Sequence, residues 1–134
     1  MISLTLFKAI LLCMHNNYKC RNYQFSMQAE RIKFLIEEIA QNPEDPFNHY
    51  ALGLEYQKTK PQEAKELFEK VLHAFPDYLP VYYTAANHFF SLDENKKADQ
   101  TFKKGITLAI KQNNQKAERE LKGSYTLFLD EIDD

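Results

Sequence analysis

Four histidines and two cysteines are the residues of this sequence whose types could hold a metal ion or take part in nucleophilic chemistry. Cys13, His15 and Cys20 form a Cys-x-His-x4-Cys group, which offers three zinc ligands but lacks the fourth that a structural zinc site requires. Each of the remaining histidines stands alone on a predicted helix, where a packing or solvent-exposed role is usual; they are His49, His73 and His88. We therefore predict no metal site.

Motifs that carry common enzyme chemistry are also missing from the sequence. It has no glycine-rich phosphate loop, no Ser-His or Cys-His signature and no His-Glu-x-x-His pair. Its glutamates are spread along predicted helices like solvent-facing charges, for example Glu63, Glu66 and Glu69. We predict no catalytic residue, no cofactor and no enzymatic activity.

The charge balance bears on the class of partner. Lys and Arg number 17 and Asp and Glu 19, which gives a net charge of −2. Because binding to nucleic-acid phosphates needs a basic surplus or patch, we expect no nucleic-acid partner. Both cysteines lie within the first twenty residues, so the fold cannot depend on a disulfide between distant elements, and we expect a cytoplasmic location.

The first 26 residues differ from the rest of the chain. The run MISLTLFKAILLCMH is apolar but is interrupted by Lys8. It is also too short to cross a membrane, which takes about 20 apolar residues. It has neither the basic start nor the small-residue cleavage site of a secretory signal. We expect residues 1–26 to be a leader that is disordered or non-native. A degenerate first helix and an export or membrane role are the alternatives.

Apolar residues recur at helical spacing through residues 28–132. Breaks such as Asn42-Pro43 and Asn113-Asn114 divide this pattern into six helices. Only three glycines and five prolines occur, which leaves little room for long loops. The sequence therefore predicts an all-α domain over residues 27–134.

Polar residues before several of these segments predict where helices begin. Asp45 can accept hydrogen bonds from free amides, and Pro46 suits the first position of a helix. Thr59 begins a capping-box spacing ahead of the third helix. We assign Asp77 and Asp93 to the starts of the fourth and fifth helices.

Two helical pairs repeat with a period close to 34 residues. The first helix of each pair has a large residue, an apolar residue, a small residue and an aromatic residue at the same spacing, and the second helix has Ala-x3-Phe. These positions are His49, Leu52, Gly53, Tyr56, Ala64 and Phe68 in one pair and Tyr82, Ala85, Ala86, Phe89, Ala98 and Phe102 in the other. Small residues permit close approach of the helices, and the aromatic side chains fill the space between pairs. One pair cannot bury its apolar stripe alone, so the pairs must stack.

This pattern resembles the tetratricopeptide repeat (TPR) family over roughly residues 46–112. His49 stands where the family usually has tryptophan, and Pro76 closes the first unit while Ile110 lies near that place in the second. The resemblance implies an all-α fold, a right-handed α-α superhelix (an α-solenoid) of helix-turn-helix units. We assign a leading half-unit to residues 27–42, unit 1 to 45–78, unit 2 to 79–112 and a C-terminal capping helix to 113–134.

The first helix of each unit has a second apolar face. At about 100° of helical advance per residue, this face lies about 120° from the core stripe. In the family such a face lines the concave groove that receives an extended peptide or a helix. The resemblance thus implies a protein-interaction module or scaffold whose partner is a protein or peptide with apolar anchors. The candidate binding residues are Phe47, Tyr50, Leu54, Gln57, Tyr83, Asn87 and Phe90.

Two alternatives stay open at this point. The last helix, the first helix or a second copy of the chain could cover the groove residues, and self-association through the same surface is the alternative function. Some family members bind a C-terminal carboxylate with a clamp of Lys, Arg and Asn. Asn87 has no basic residues beside it on this face, so we do not predict that ligand.

Overall fold

The structure, a computed structural model, describes residues 17–133, and over these residues the chain forms six α-helices and no strand. The helices are α1 (Asn17–Gln41), α2 (Pro46–Tyr56), α3 (Pro61–Ala74), α4 (Pro80–Ser91), α5 (Asn95–Lys111) and α6 (Gln115–Asp133). None of these six described helices is long and apolar enough to cross a membrane.

The six helices stack in chain order. Each helix packs against the next one, and α6 also contacts α4. Helices α2 and α3 form one hairpin, α4 and α5 form a second, and α3 packs on α4 between them. Buried residues from α3 to α6 form one continuous hydrophobic cluster, so the core spans both hairpins. The prediction of an all-α repeat solenoid is confirmed.

The helix starts follow prolines more than polar caps. Asp45 caps α2 as predicted, since its carboxylate accepts a hydrogen bond from the amide two residues on at 2.9 Å, and Pro46 follows. The predicted caps at Thr59, Asp77 and Asp93 are wrong. Helices α3 and α4 each begin with a proline, whose fixed φ favours the first helical position without a cap. Asp93 has a φ of 60° and lies in the turn after α4.

Helix α1 is longer than the sequence predicted. It has 25 residues and begins at Asn17 rather than near Gln28. Residues 17–27 contain neither glycine nor proline, so no residue type there ends the helix. The apolar run of the leader, with Cys13 and His15, lies outside the described residues. The domain boundary at residue 27 stays a prediction.

Two glycines lie where a neighbouring helix leaves no room for a side chain. A Cβ added to Gly53 would lie 2.5 Å from Cε1 of Phe68, and one added to Gly105 would lie 2.7 Å from the Cβ of Tyr82. The alanines predicted at the close contact of the second hairpin, Ala86 and Ala98, are both fully buried. The small residues therefore set how closely the helices of each hairpin approach.

His49 and Tyr82 occupy equivalent positions in the two units and make equivalent hydrogen bonds. The Nε2 of His49 lies 2.9 Å from the carbonyl oxygen of Pro43 and is the donor, because a carbonyl oxygen only accepts. The Tyr82 hydroxyl donates to the carbonyl oxygen of Pro76 at 2.6 Å. Each bond ties the first helix of a unit to the proline that follows the preceding helix.

A group of charged side chains joins α3 to the start of α5. Glu94 is paired with Lys65, and the Nζ of Lys97 lies 3.0 Å from Oε2 of Glu94 and 2.6 Å from Oε1 of Glu69. The hydrogen bond from Lys65, and next the Lys97 ammonium, lower the pKa of the Glu94 carboxyl. The Glu94 side chain bonds across to α3 and does not cap α5.

We expect the Glu94→Gln variant to lose about 1 kcal/mol of unfolding free energy at neutral pH. The pKa of Glu94 is lower in the folded chain than in the unfolded one. Its contribution is therefore present above the usual glutamate pKa of about 4.3 and disappears as pH falls through the folded value. Urea unfolding of both proteins across this pH range measures the effect.

Glu66→Gln removes an exposed carboxylate from α3, the helix that Glu94 contacts through Lys65, and serves as the control. It should change stability by less than about 0.5 kcal/mol at every pH. A Glu94→Gln deficit that persists undiminished at pH 3 or below would show that charge pairing is not its cause.

Candidate functional site

The predicted binding residues on α2 and at its C-terminal end differ in exposure. Phe47 and Leu54 are 56% and 41% exposed, and Gln57 is half-buried. Tyr50 is also half-buried, and its hydroxyl lies 3.1 Å from Oγ1 of Thr84 on α4. Phe47 and Leu54 are therefore open to solvent, whereas Tyr50 joins the first helices of the two units.

The predicted residues of α4 have different environments. Tyr83 is 46% exposed. The Asn87 side chain accepts a hydrogen bond from the hydroxyl of Ser124 on α6 at 2.9 Å, and the Phe90 ring packs edge-on against Phe128 with centroids 5.1 Å apart. Helix α6 therefore covers Asn87 and Phe90, as one of the alternatives anticipated, and leaves Tyr83 open.

A cleft opens beside Tyr83, between α2, α4 and the first turns of α6. Its volume is about 450 Å³. We call it the tyrosine cleft, because three tyrosines from α2, the α3–α4 turn and α4 line it. The residues that form its walls include Tyr50, Asp77, Tyr78, Leu79, Tyr83, Thr84, Ala117, Glu120 and Leu121. Of the predicted binding residues, it brings Tyr50 and Tyr83 together.

Packing below the cleft holds Tyr50 in one orientation. Its ring meets that of Tyr78 edge-on, with centroids 5.9 Å apart and planes at 66°, and lies 6.3 Å from the ring of Phe68 in the core. Such tilted aromatic pairs are favourable and directional. The cleft therefore has a preformed aromatic wall.

The chemistry of the cleft is suited to binding. Burial raises the pKa of the Tyr78 hydroxyl, and nearby Tyr50 and Asp45 raise it further, so this phenol stays protonated at neutral pH. Asp77 and Glu120 are the charged residues among those that line the cleft. The walls thus offer apolar ring surface, hydroxyl groups and two carboxylates.

Sequence reasoning missed the part of the cleft outside the first helices of the two units. Tyr78 and Asp77 belong to a turn, and Ala117 and Glu120 belong to α6, for which the sequence predicts a capping helix and, as an alternative, a cover over the groove residues. Adding one repeat period of about 34 residues to Tyr83 leads to Ala117, so the repeat itself could have indicated that α6 lines the groove.

The histidines that were candidates for chemistry have structural contacts or lie in solvent. His49 and His88 are buried, and the Nε2 of His88 donates to the carbonyl oxygen of Pro61 at 2.8 Å. His73 is exposed. Within residues 17–133, no group of three or more His, Cys, Asp or Glu side chains could hold a metal ion.

Similarity to solved structures identifies the protein family. Comparisons with protein-family models and with curated proteins give no match. Among solved structures, the TPR2B domain of yeast Sti1, in a complex with pHsp70, is 20% identical with a TM-score of 0.72, over 83% of this chain and 90% of that one. At that identity the likeness shows the fold alone.

Two structures of a tetratricopeptide repeat domain protein from Salinibacter ruber are more similar in sequence. The crystal structure is 33% identical, with a TM-score of 0.59, over 63% of this chain and 94% of that one. The solution NMR structure is 34% identical, with a TM-score of 0.61, over 64% of this chain and 88% of that one. Together with the repeated helical hairpins, this similarity shows that the chain belongs to the tetratricopeptide repeat family.

Proposed function

We propose that this chain is a protein-interaction module that holds a segment of a partner protein in the tyrosine cleft. The observation that carries the proposal is an exposed aromatic side chain, Tyr83, beside a preformed cleft of about 450 Å³. A cleft of this size lined by rings and a few polar groups is typical of a binding site. The partner segment is extended or helical and carries apolar anchors.

Exposed side chains of α2 extend the proposed surface beyond the cleft. Phe47 and Leu54 are the exposed apolar residues of the predicted groove on this helix. A ligand that lies in the cleft and also covers Phe47 and Leu54 would bury apolar surface of both repeat units. A peptide segment is long enough to do this, whereas a single small molecule is not. Asn87 and Phe90 already contact α6, so we leave them out of the proposed contact surface.

The fold relative from yeast supports a peptide or protein as the ligand. The TPR2B domain of Sti1 was solved in a complex with pHsp70. The carboxylates that line the cleft of this chain disfavour a nucleic-acid phosphate backbone. We place this interaction in the cytoplasm.

Tyr83→Ala tests the proposed function. Peptides are first selected on the wild-type chain from a random-peptide phage library, and their affinities are then measured by fluorescence anisotropy. We expect Tyr83→Ala to weaken binding of the selected peptides about tenfold, as for the loss of an aromatic anchor. The exposed position of Tyr83 makes a large loss of stability unexpected.

Leu127→Ala is the matched control, because Leu127 is an apolar residue of α6 that is 65% exposed and outside the cleft. It should leave the affinities unchanged. Equal affinities of wild type and Tyr83→Ala, or a selection that enriches no peptide, would contradict the proposed function.

Self-association remains the second candidate, and exposed apolar residues of α1 favour it. Phe25 and Phe34 are 72% and 58% exposed. Sedimentation velocity from micromolar concentration upward separates the two candidates. A dimer that Tyr83→Ala dissociates would favour assembly through the cleft face, and one that Phe34→Ala dissociates would favour assembly through α1.

A further inference from the structure

We propose that the tyrosine cleft selects a partner segment with a lysine or arginine side chain, which lies against the tyrosine rings with Asp77 and Glu120 as its counter-charges. This inference rests on the proposed function, because it names the chemistry of the ligand in the same cleft. It adds a requirement for positive charge to the apolar anchors already proposed.

The first observation is the arrangement of the rings. The edge-on contact between Tyr50 and Tyr78 forms an aromatic corner, and Tyr83 lines the same cleft from α4. The face of a tyrosine ring attracts a cation within about 6 Å of its centroid. Guanidinium and ammonium groups on aliphatic stems suit such a site, because the stem can contact apolar Pro80 and Ala117 while the charged group meets the rings.

The second observation is the sign of the charges. Asp77 and Glu120 line the cleft, and neither lysine nor arginine is among the residues that line it. Lys111 and Lys116 approach these two carboxylates only to 4.0 Å, the outer limit of an ion pair. All four side chains of these pairs are more than half exposed, so each pairing is weak and a ligand cation can compete for the carboxylates.

A negative charge near Tyr78 agrees with the sign of the cleft charges. Burial is the largest cause of the raised pKa of Tyr78, and burial disfavours a cation as well as a phenolate. The Asp45 carboxylate also raises this pKa, and it is the contribution that favours a positive group nearby. A ligand carboxylate would meet two carboxylates and no lining cation, so acidic segments are disfavoured.

Two defined peptides test the inference. One is a blocked leucine-arginine-leucine peptide, and the other has citrulline in place of arginine, which keeps the shape but removes the charge. Binding is followed by NMR from the ring signals of Tyr50, Tyr78 and Tyr83. We expect the arginine peptide to bind about fivefold more tightly, and this preference to shrink when salt rises from about 50 mM to about 500 mM.

Two double variants distinguish an effect of the cleft carboxylates from an effect of the net charge of the protein. Asp77→Asn/Glu120→Gln should remove most of the preference for arginine. The control Glu66→Gln/Glu131→Gln removes two exposed carboxylates outside the cleft, with the same change in net charge, and should keep the preference. All four positions are exposed, so both double variants are expected to fold, and circular dichroism checks this.

The other possible outcomes contradict different parts of the proposal. Equal binding of both peptides at the cleft tyrosines would overturn charge selection and leave the proposed function standing. A preference that survives Asp77→Asn/Glu120→Gln would overturn the role of these carboxylates. Absence of any shift at the cleft tyrosines would overturn the inference, whereas the proposed function is tested separately by the library-selected peptides and Tyr83→Ala.

Discussion

Replacing Phe68 with alanine is expected to lower the free energy of unfolding by about 3–5 kcal/mol, the usual cost of removing a buried phenylalanine ring. Phe68 is fully buried on α3. Its ring faces Gly53 on α2 and meets the ring of His88 on α4 edge-on, with centroids 5.4 Å apart. The variant therefore loses contacts within unit 1 and between the two units at once.

Urea unfolding followed by circular dichroism measures this loss. Phe68→Leu retains most of the apolar volume and should lose only about 1–2 kcal/mol, which keeps the comparison measurable if the alanine variant does not fold. Phe25→Ala removes a ring that is 72% exposed and should have little effect. A loss below about 1 kcal/mol for Phe68→Ala would contradict its place at the centre of the stack.

The second large effect is expected at Gly105. Gly105→Ala should lower the free energy of unfolding by about 2 kcal/mol, although alanine is the better helix former by about 1 kcal/mol. The new Cβ would lie 2.7 Å from the Cβ of Tyr82 and 3.2 Å from Cδ2 of Leu121. The Cβ of Tyr82 is bonded to the backbone of α4, so relief of this contact requires the two helices to move apart.

Gly123→Ala is the matched control, because it makes the same substitution in a helix where a new Cβ meets nothing within 4 Å. It should raise the free energy of unfolding by about 1 kcal/mol through helix propensity alone. The two variants thus differ in sign, and urea unfolding compares them directly. Stabilisation by both would mean that α4 and α5 are further apart than the structure places them.

Much of the fold was predictable because short-range patterns encode it. Helical spacing of apolar residues gave the helices from α2 to α6, and the recurrence of small and aromatic residues near a period of 34 predicted that two hairpins stack. Asp45 and Pro46 identified the start of α2 because a cap and an N-terminal proline act locally. Local patterns were less informative at Asp77 and Asp93, because the chain turns there without using their carboxylates as caps.

The candidate site was less predictable because it depends on how distant helices meet. Helical spacing left open whether the candidate groove residues are exposed, and Phe47, Leu54 and Tyr83 are exposed in the structure. It could not show that Ser124 and Phe128 of α6 cover Asn87 and Phe90, because that contact depends on the angle between α4 and α6. The cleft near Tyr83 is likewise lined by residues of α2, α4 and α6, so its location required the structure.

The stack and the proposed binding site are linked through Tyr50. Its ring touches Phe68 of the core, its hydroxyl reaches Thr84 of the next unit, and its remaining surface lines the cleft. A site built on packed helices holds its side chains more precisely than one on loops. For this reason Tyr83, which is exposed, is a better residue for testing binding than Tyr50, whose loss would also disturb the stack.

We propose that the tyrosines of the cleft formed by the two stacked hairpins and α6 bind a partner segment. NMR of the chain with isotope-labelled tyrosine rings, titrated with a peptide selected on the wild-type protein, tests this proposal. We expect the signals of Tyr50, Tyr78 and Tyr83 to shift with one dissociation constant, while Tyr56 and Tyr125, outside the cleft, stay in place. Saturation that shifts Tyr56 or Tyr125 and leaves the three cleft tyrosines unchanged would contradict the claim.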